Sequence, residues 1–354
     1  PKSGNYGDYT LTHTVRKTFE RFFQYPIIWK SMNITKWNDE DIENNLSEVD
    51  LILVGGGGMF MRHGASDNEI SGWHWKVSNE TLLTIQIPIL VYTVGFNYFW
   101  GQKPKDLFLL SIQNLLERGN FFSLRHVQDV VDLKSYLETD YDIRYTPCTT
   151  TIISDLWNLS YSTKSTKKIA LNIPSDRKEN RYGDNINSKF LSIAKGVLEL
   201  QKQGYDITVV LHVPPYDVDI LNFLIKVGVQ YTVVDIRSLP IKESFDFYQT
   251  FDLVIGGRGH AQMIPFGLGV PVLSVYSLGK AKHFLEDINK LEWLLDLSDV
   301  EAIEQSLVEK AQYMLSNRSL IQDQIRQEKK NLYALIEKDF KVINNLKFIR
   351  EEPK

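Results

Sequence analysis

Apolar positions along the chain fall into two patterns. Short runs rich in Val, Ile and Leu, bounded by Gly, Pro or polar clusters, have the signature of buried strands, and stretches with apolar residues three and four apart have that of helices. In the first half this predicts strands over 49–54, 88–94 and 121–124, with helices over 11–23 and 107–118 between them. A polar stretch at 160–168 (SYSTKSTKK) then interrupts the pattern and predicts an interdomain linker.

The alternation restarts with strands predicted over 169–173, 207–212, 231–234, 253–255 and 272–275, and helices over 189–203, 218–226 and 245–250. From 300 onward the pattern is helical, over 300–315 and 320–345. Strand and helix alternating end to end predict an α/β protein with parallel sheets. The expected organisation is a Rossmann-like domain over 1–160, a second over 169–300, and C-terminal helices over 301–354 crossing back. Two such domains facing each other across a cleft form the arrangement called GT-B.

The chain has 354 residues, and single cores stop growing below that length, which supports two domains. With 43% hydrophobic and 24% charged residues it is neither disordered nor fibrous. The 40 Lys and Arg against 44 Asp and Glu leave a net charge of -4, which argues against a nucleic-acid partner. A single cysteine, Cys148, cannot close an internal disulfide and fits a reducing, cytoplasmic setting. The longest apolar stretch, 87–100, is broken by Pro88, Gly95 and Asn97, so no membrane span is predicted, and no secretory signal either. Sequons at Asn33, Asn79, Asn158 and Asn317 are read as chance triplets. The opening, Pro1 to Asp8, looks like a glycine-rich loop of the kind that follows a strand, and predicts a strand ahead of Asn5.

The richest candidate chemistry lies in 252–275, which reads as strand, glycine turn, short helix, Gly-x-Pro and strand. The turn places Arg258 and His260 where a strand ends and a helix begins, an edge whose free N–H groups attract anions. Arg offers a two-toothed donor to carboxylate or phosphate, and His carries a proton near neutral pH. Alone, Arg258 could equally pair with a surface carboxylate and His260 cap a helix. Ser277, Lys280 and Lys282 return to the same edge after the next strand.

In the first half, Gly55 to Gly58 follow a strand, with His63 just beyond. Neither glycine frame completes a dinucleotide fingerprint, and Gly279-Lys280 is followed by Ala281, so no P-loop exists. Asp140/Asp142 and Asp217/Asp219 match a short D-x-D metal motif, but Asp217 before a helix reads better as a cap. Aromatics at 73–75 and 96–100 could stack on a sugar or fill a core.

Taken in order, Asn5-Tyr-Gly7-Asp8, the strand and glycine run of 50–60, Ser123-Leu-Arg125, and Gly257-Arg258-Gly-His260-Ala261 through Gly269-Val-Pro271 to Lys280 resemble the polysaccharide pyruvyl transferase family over nearly the whole chain. The resemblance implies a transferase that moves pyruvate from phosphoenolpyruvate to two sugar hydroxyls as a cyclic ketal, in cell-surface polysaccharide synthesis. The chain departs from the family pattern at Gly259, where Leu is usual, at His126, often acidic, and at Cys148, usually Asp.

On this reading Arg258, His260, Lys280, Ser277 and one of Arg177 and Arg181 hold the donor, with His260 moving a proton. Asp8 orients or deprotonates the acceptor, and Asn5, Gly56, Gly57, His63, Asn97, Trp100 and Arg125 bind it. No metal or cofactor is required beyond the phosphoenolpyruvate substrate. The acceptor is a saccharide, carried on lipid, nucleotide or polymer. Peripheral membrane contact and homo-oligomerisation stay open. The rival readings are a GT-B glycosyltransferase using a nucleotide sugar and a non-catalytic carbohydrate-binding protein of the same fold.

Overall fold

The computed structural model describes residues 4–62, 68–98, 101–276 and 281–346. In chain order the elements are α1 (Tyr6–Phe22), α2 (Asp39–Asn45), β1 (Ile52–Phe60), α3 (Asn79–Thr84), β2 (Ile89–Phe96), α4 (Asp106–Glu117), β3 (Phe122–Leu124), α5 (Val127–Lys134) and β4 (Arg144–Tyr145). There follow α6 (Ile153–Trp157), β5 (Lys168–Asn172), α7 (Lys178–Tyr182), α8 (Ile186–Lys202), β6 (Asp206–Leu211), α9 (Pro214–Asp217), α10 (Asp219–Val227), β7 (Tyr231–Asp235) and α11 (Ile241–Tyr248). Last come β8 (Leu253–Gly256), α12 (Gly259–Gly267), β9 (Val272–Tyr276), α13 (Ala281–Asp287), β10 (Leu294–Asp296), α14 (Val300–Ser316) and α15 (Arg318–Ile343).

The chain divides into two compact units, one of residues 1–14 and 149–333, the other of 15–148 and 334–354. The division therefore falls inside α1 and α15. Residues 1–14 and 149–160, expected with the first domain, group with the second half of the chain. The physical reason is local: Tyr6 N–H donates to His212 O at 3.1 Å, the Tyr6 hydroxyl meets Ser244 Oγ at 2.6 Å, and Thr14 Oγ1 meets Thr149 Oγ1 at 2.7 Å.

The smaller unit carries a four-stranded sheet in the order β1-β2-β3-β4, parallel throughout. Its core packs Phe60, Trp73, Trp75, Val91, Phe108 and Phe122. The glycine run, expected after the first strand, is part of it. Gly55 pairs with Tyr92 and Gly57 with Val94, and the register then shifts before Phe60 meets Phe96. Gly56 and Gly57 hold φ of 69° and 90°, values at which a side chain would be strained, so glycine lets the strand continue through the irregularity.

The larger unit carries six parallel strands in the order β10-β9-β8-β5-β6-β7. Read from β7, with β5 as the first strand, this is 3-2-1-4-5-6, the doubly wound order in which ligands bind at the carboxyl ends of the strands where chain order reverses. Here the reversal lies between β5 and β8. Ala170, Val210, Val254, Ile264 and Phe245 fill one face. On α14, Leu307 Cδ2 and Glu304 O lie 3.1 and 3.2 Å from where a Cβ on Gly196 of α8 would sit, so that glycine permits the close helix crossing. The strands β4 and β10, of two and three residues, were not predicted, being too short to leave a pattern.

Candidate active site

The turns that follow β5, β6 and β8 meet at the switch point of the larger unit. β8 ends at Gly256, and Gly257 N–H donates to Asn172 O at 2.8 Å, which aligns this turn with the end of β5. A Cβ on Gly256 would lie 2.8 Å from Ala261 O and one on Gly257 2.7 Å from Pro174 Cδ, so both positions need glycine. Arg258 is then the extended residue just ahead of α12, and His260 sits in the first turn of that helix. Both side chains are buried, at 8% and 7% exposure.

Arg258 does not reach outward unaccompanied. Its Nε and Nη2 donate to Asp217 Oδ1 at 2.8 and 2.6 Å, and Nη2 also lies 2.7 Å from Asp176 Oδ1. Asp217 is fully buried, and its other oxygen accepts from His212 N–H at 2.7 Å, Val213 N–H at 2.8 Å and Asn172 Nδ2 at 3.1 Å. The second carboxylate, Asp176, follows β5 and pairs with Arg181 at 2.9 Å and Arg177 at 3.3 Å. Burial alone would raise the Asp176 pKa, but the charges of Arg181, Arg258 and Arg177 and a hydrogen bond from Arg181 prevail and hold it at about 2. Three guanidiniums thus surround two carboxylates, and the cluster keeps an excess of positive charge.

The start of α1 completes the site. Asn5 accepts from Gly7 N–H at 2.9 Å and so caps its own helix, while Arg237 Nη1 donates to Gly4 O at 3.2 Å. The His260 ring lies on the Gly7 backbone: a Cβ there would be 2.3 Å from His260 Nδ1. One residue on, Asp8 Oδ1 is 4.0 Å from the same Nδ1, with the Asp8 side chain 61% exposed. Beneath them the His212 ring packs edge-on against Tyr6, and its Nε2 meets the Tyr248 hydroxyl. Burial, aided by the Arg258 charge, lowers the His212 pKa to about 3, so this imidazole is neutral. Burial likewise raises the Tyr6 phenol to about 12, so it keeps its proton.

The family model for polysaccharide pyruvyl transferase matches residues 5–278, which takes in Asn5 to Asp8 as well as Arg258 and His260. The chain belongs to the polysaccharide pyruvyl transferase family. No curated protein matches it. Among solved structures it is similar to a glycosyltransferase from Rickettsia africae ESF-5, at 14% identity and a TM-score of 0.52 over 90% of this chain and 84% of that one. It is also similar to the S. aureus MnaA-UDP co-structure, at 16% identity and a TM-score of 0.50 over 97% and 88%. At such identities the likeness concerns the fold, a two-domain Rossmann-like α/β fold of the GT-B kind.

Within this pyruvyl transferase family member, the structure brings Arg258, His260, Arg177, Arg181, Asn5 and Asp8 into one unit, although Asn5 and Asp8 were expected in the other domain. Asn5 uses its side-chain oxygen as a helix cap. The other described acceptor candidates, Gly56, Gly57, Asn97 and Arg125, lie in the smaller unit. Arg125 Nη2 donates to Asn97 Oδ1 at 3.2 Å, and the pair lies over glycines: a Cβ on Gly58 would meet Asn97 Nδ2 at 1.7 Å, and one on Gly95 would meet Arg125 Nε at 2.7 Å. Gly56 and Gly57 belong to β1. His63, Trp100, Ser277 and Lys280 lie outside the described residues.

Of the two roles open to the aromatics, Trp73, Trp75 and Phe96 take the core one, exposed by 3% or less and packed with Phe60 and Phe108. One reading changes. Asp217, read as a helix cap, instead binds Arg258 and the backbone of 212–213. Asp140 and Asp142 make surface pairs with Lys134 and Arg144. Sequence reasoning missed Asp176, Asp217 and His212 as parts of the site. The available signal was their position, each within six residues of the carboxyl end of β5 or β6.

Proposed function

We propose that the chain transfers pyruvate from phosphoenolpyruvate to a hydroxyl pair of a saccharide, releasing phosphate and forming a cyclic ketal. The observation that carries this reading is the pairing of a half-buried, positively charged arginine cluster, with Arg258 at its buried end, with a His–Asp pair at the switch point of one sheet. A donor with a carboxylate and a phosphate needs several cations in a desolvated site. Its vinyl carbon needs an acid, and the acceptor hydroxyls need a base.

In this scheme Arg258, Arg177 and Arg181 bind the donor's anionic groups. The His260 imidazolium delivers a proton to the methylene carbon, leaving C2 cationic. One sugar hydroxyl oxygen bonds to C2, and its proton passes to the Asp8 carboxylate. The bond from C2 to the phosphate oxygen breaks with its electron pair on phosphate, which takes the proton from Asp8. The second hydroxyl closes the ring and its proton restores His260. The fixed Asp217 keeps the Arg258 fork in one orientation, and Gly7 lets the imidazole approach the start of α1.

The test is a thermal-shift comparison of phosphoenolpyruvate with a panel of nucleotide sugars, since a ligand that binds the native state raises its melting temperature. Stabilisation by phosphoenolpyruvate, lost in Arg258→Ala, is expected. Stabilisation by a nucleotide sugar alone would replace this reading with glycosyl transfer. With an acceptor, His260→Ala is expected to abolish phosphate release in a folded protein, and retained release would remove His260 from the mechanism.

A further inference from the structure

We infer that the Asp176 carboxylate occupies the seat of a donor anion and that donor binding displaces it, so Asp176 sets the affinity of the site. The inference rests on the reading that the arginine cluster binds the donor. The two carboxylates beside Arg258 are held in different ways. Asp217 is locked by two backbone N–H groups and Asn172 in addition to Arg258. The Asp176 carboxylate makes its contacts to guanidiniums: Arg181 at 2.9 Å, Arg177 at 3.3 Å and Arg258 at 2.7 Å.

Those contacts are what an incoming carboxylate or phosphate group would make. They are also imperfect. Asp176 Oδ1 is buried within ion-pair distance of Arg258 yet accepts no aligned hydrogen bond, whereas Asp217 Oδ1 accepts two from the same guanidinium. A buried acceptor without a hydrogen bond is costly. Asp176 also sits on the turn after β5, next to Arg177 at a left-handed φ of 51°, whereas Asp217 is the last residue of α9. A dianionic ligand would offer the three arginines more charge than Asp176 does, and the released carboxylate would regain water on the turn.

Isothermal titration of the full chain with phosphoenolpyruvate, and separately with inorganic phosphate, tests this. Asp176→Asn keeps the shape and removes the competing charge, and is expected to tighten phosphoenolpyruvate binding by about tenfold. Phosphate should follow in the same direction. Asp217→Asn is expected to weaken both. The variant Asp176→Ser, smaller and also uncharged, should tighten binding too, which guards against a folding defect in the first variant. Unchanged or weaker phosphoenolpyruvate binding in both Asp176 variants, with the wild type binding normally, overturns the inference and leaves the donor reading standing. No phosphoenolpyruvate binding by the wild type, together with none in either Asp176 variant, overturns the donor reading and this inference with it.

Discussion

At position 7 a hydrogen stands where any other residue would carry a carbon, because the His260 ring occupies that place, 2.3 Å from an ideal Cβ. Gly7→Ala must therefore push the imidazole off its seat. The expected stability loss is about 1–3 kcal/mol, as for overpacked cores. Misplacing a reacting group by about an ångström costs roughly a hundredfold in turnover, so activity should fall far more than the melting temperature does. The collision is checked by a double-mutant cycle: in a His260→Gly background, which removes the ring and the Cβ that would lie 2.6 Å away, Gly7→Ala should cost little stability, and a fully additive result would exclude the contact as the cause. Asp217 makes a second case. Removing one partner of a buried ion pair costs about 3–5 kcal/mol, so Asp217→Ala should lower stability by that order in a urea titration, while Asp140→Ala at the exposed surface pair should leave the urea midpoint nearly unchanged. Both aspartates stood in D-x-D triplets, and the sequence set Asp217 apart only as a helix cap. What separates them is burial, which depends on β6 placing Asp217 beside the end of β8.

At the scale of elements, two helix starts shape the site. α12 begins at Gly259, immediately after Arg258, and α1 begins at Tyr6 rather than at 11. The earlier start of α1 was legible in Asn5, a good cap, and Asp8, an acid in the first turn. The apolar spacing pointed instead to the later turns, since the first turn faces a site and not a uniform core. The end of α12 is just as constrained. A Cβ on Gly267 would lie 2.0 Å from Thr150 O, a backbone atom that cannot swing aside. Gly267→Ala should therefore shift the helix or unfold the unit, with a melting-temperature loss larger than that of Gly7→Ala, where a side chain is the obstacle. Near-equal losses would show that the 149–152 segment yields easily. Lys329 of α15 reinforces this corner by donating to Gly267 O at 3.0 Å and pairing with Asp155 at 2.8 Å.

For the whole molecule, pH acts on stability through buried groups of opposite sign. His212 titrates at about 3 when folded against 6.5 in an open chain, because of burial and then Arg258. The unfolded state takes up its proton first, so stability falls as pH drops from about 6.5 toward about 3. Asp339 is raised by burial from 3.8 to about 6, despite its hydrogen bond from Thr146. The folded state binds that proton first, so stability falls as pH rises from about 4 to about 6 and stays lower above that. Asp339→Asn should thus stabilise the protein at pH 8 by about 1–3 kcal/mol and do nothing of the kind at pH 3. His212→Gln should flatten the acid limb between pH 6.5 and 3. A stability profile unchanged by either substitution would rule out these groups as its source. Among the described residues no helix is long and apolar enough to cross a membrane. The amino-acid sequence by itself determined the alternation of strands and helices, the eight strands long enough to leave an apolar run, and the Arg258–His260 turn, because each depends on residues close together in the chain. Only the tertiary structure decided that Asn5 to Asp8 join the second sheet's site, that Asp176 and Asp217 partner Arg258, and that the aromatics of 73–75 are core. Those outcomes depend on strand order, which brings the ends of β5, β6 and β8 together, and on burial, which no local pattern records.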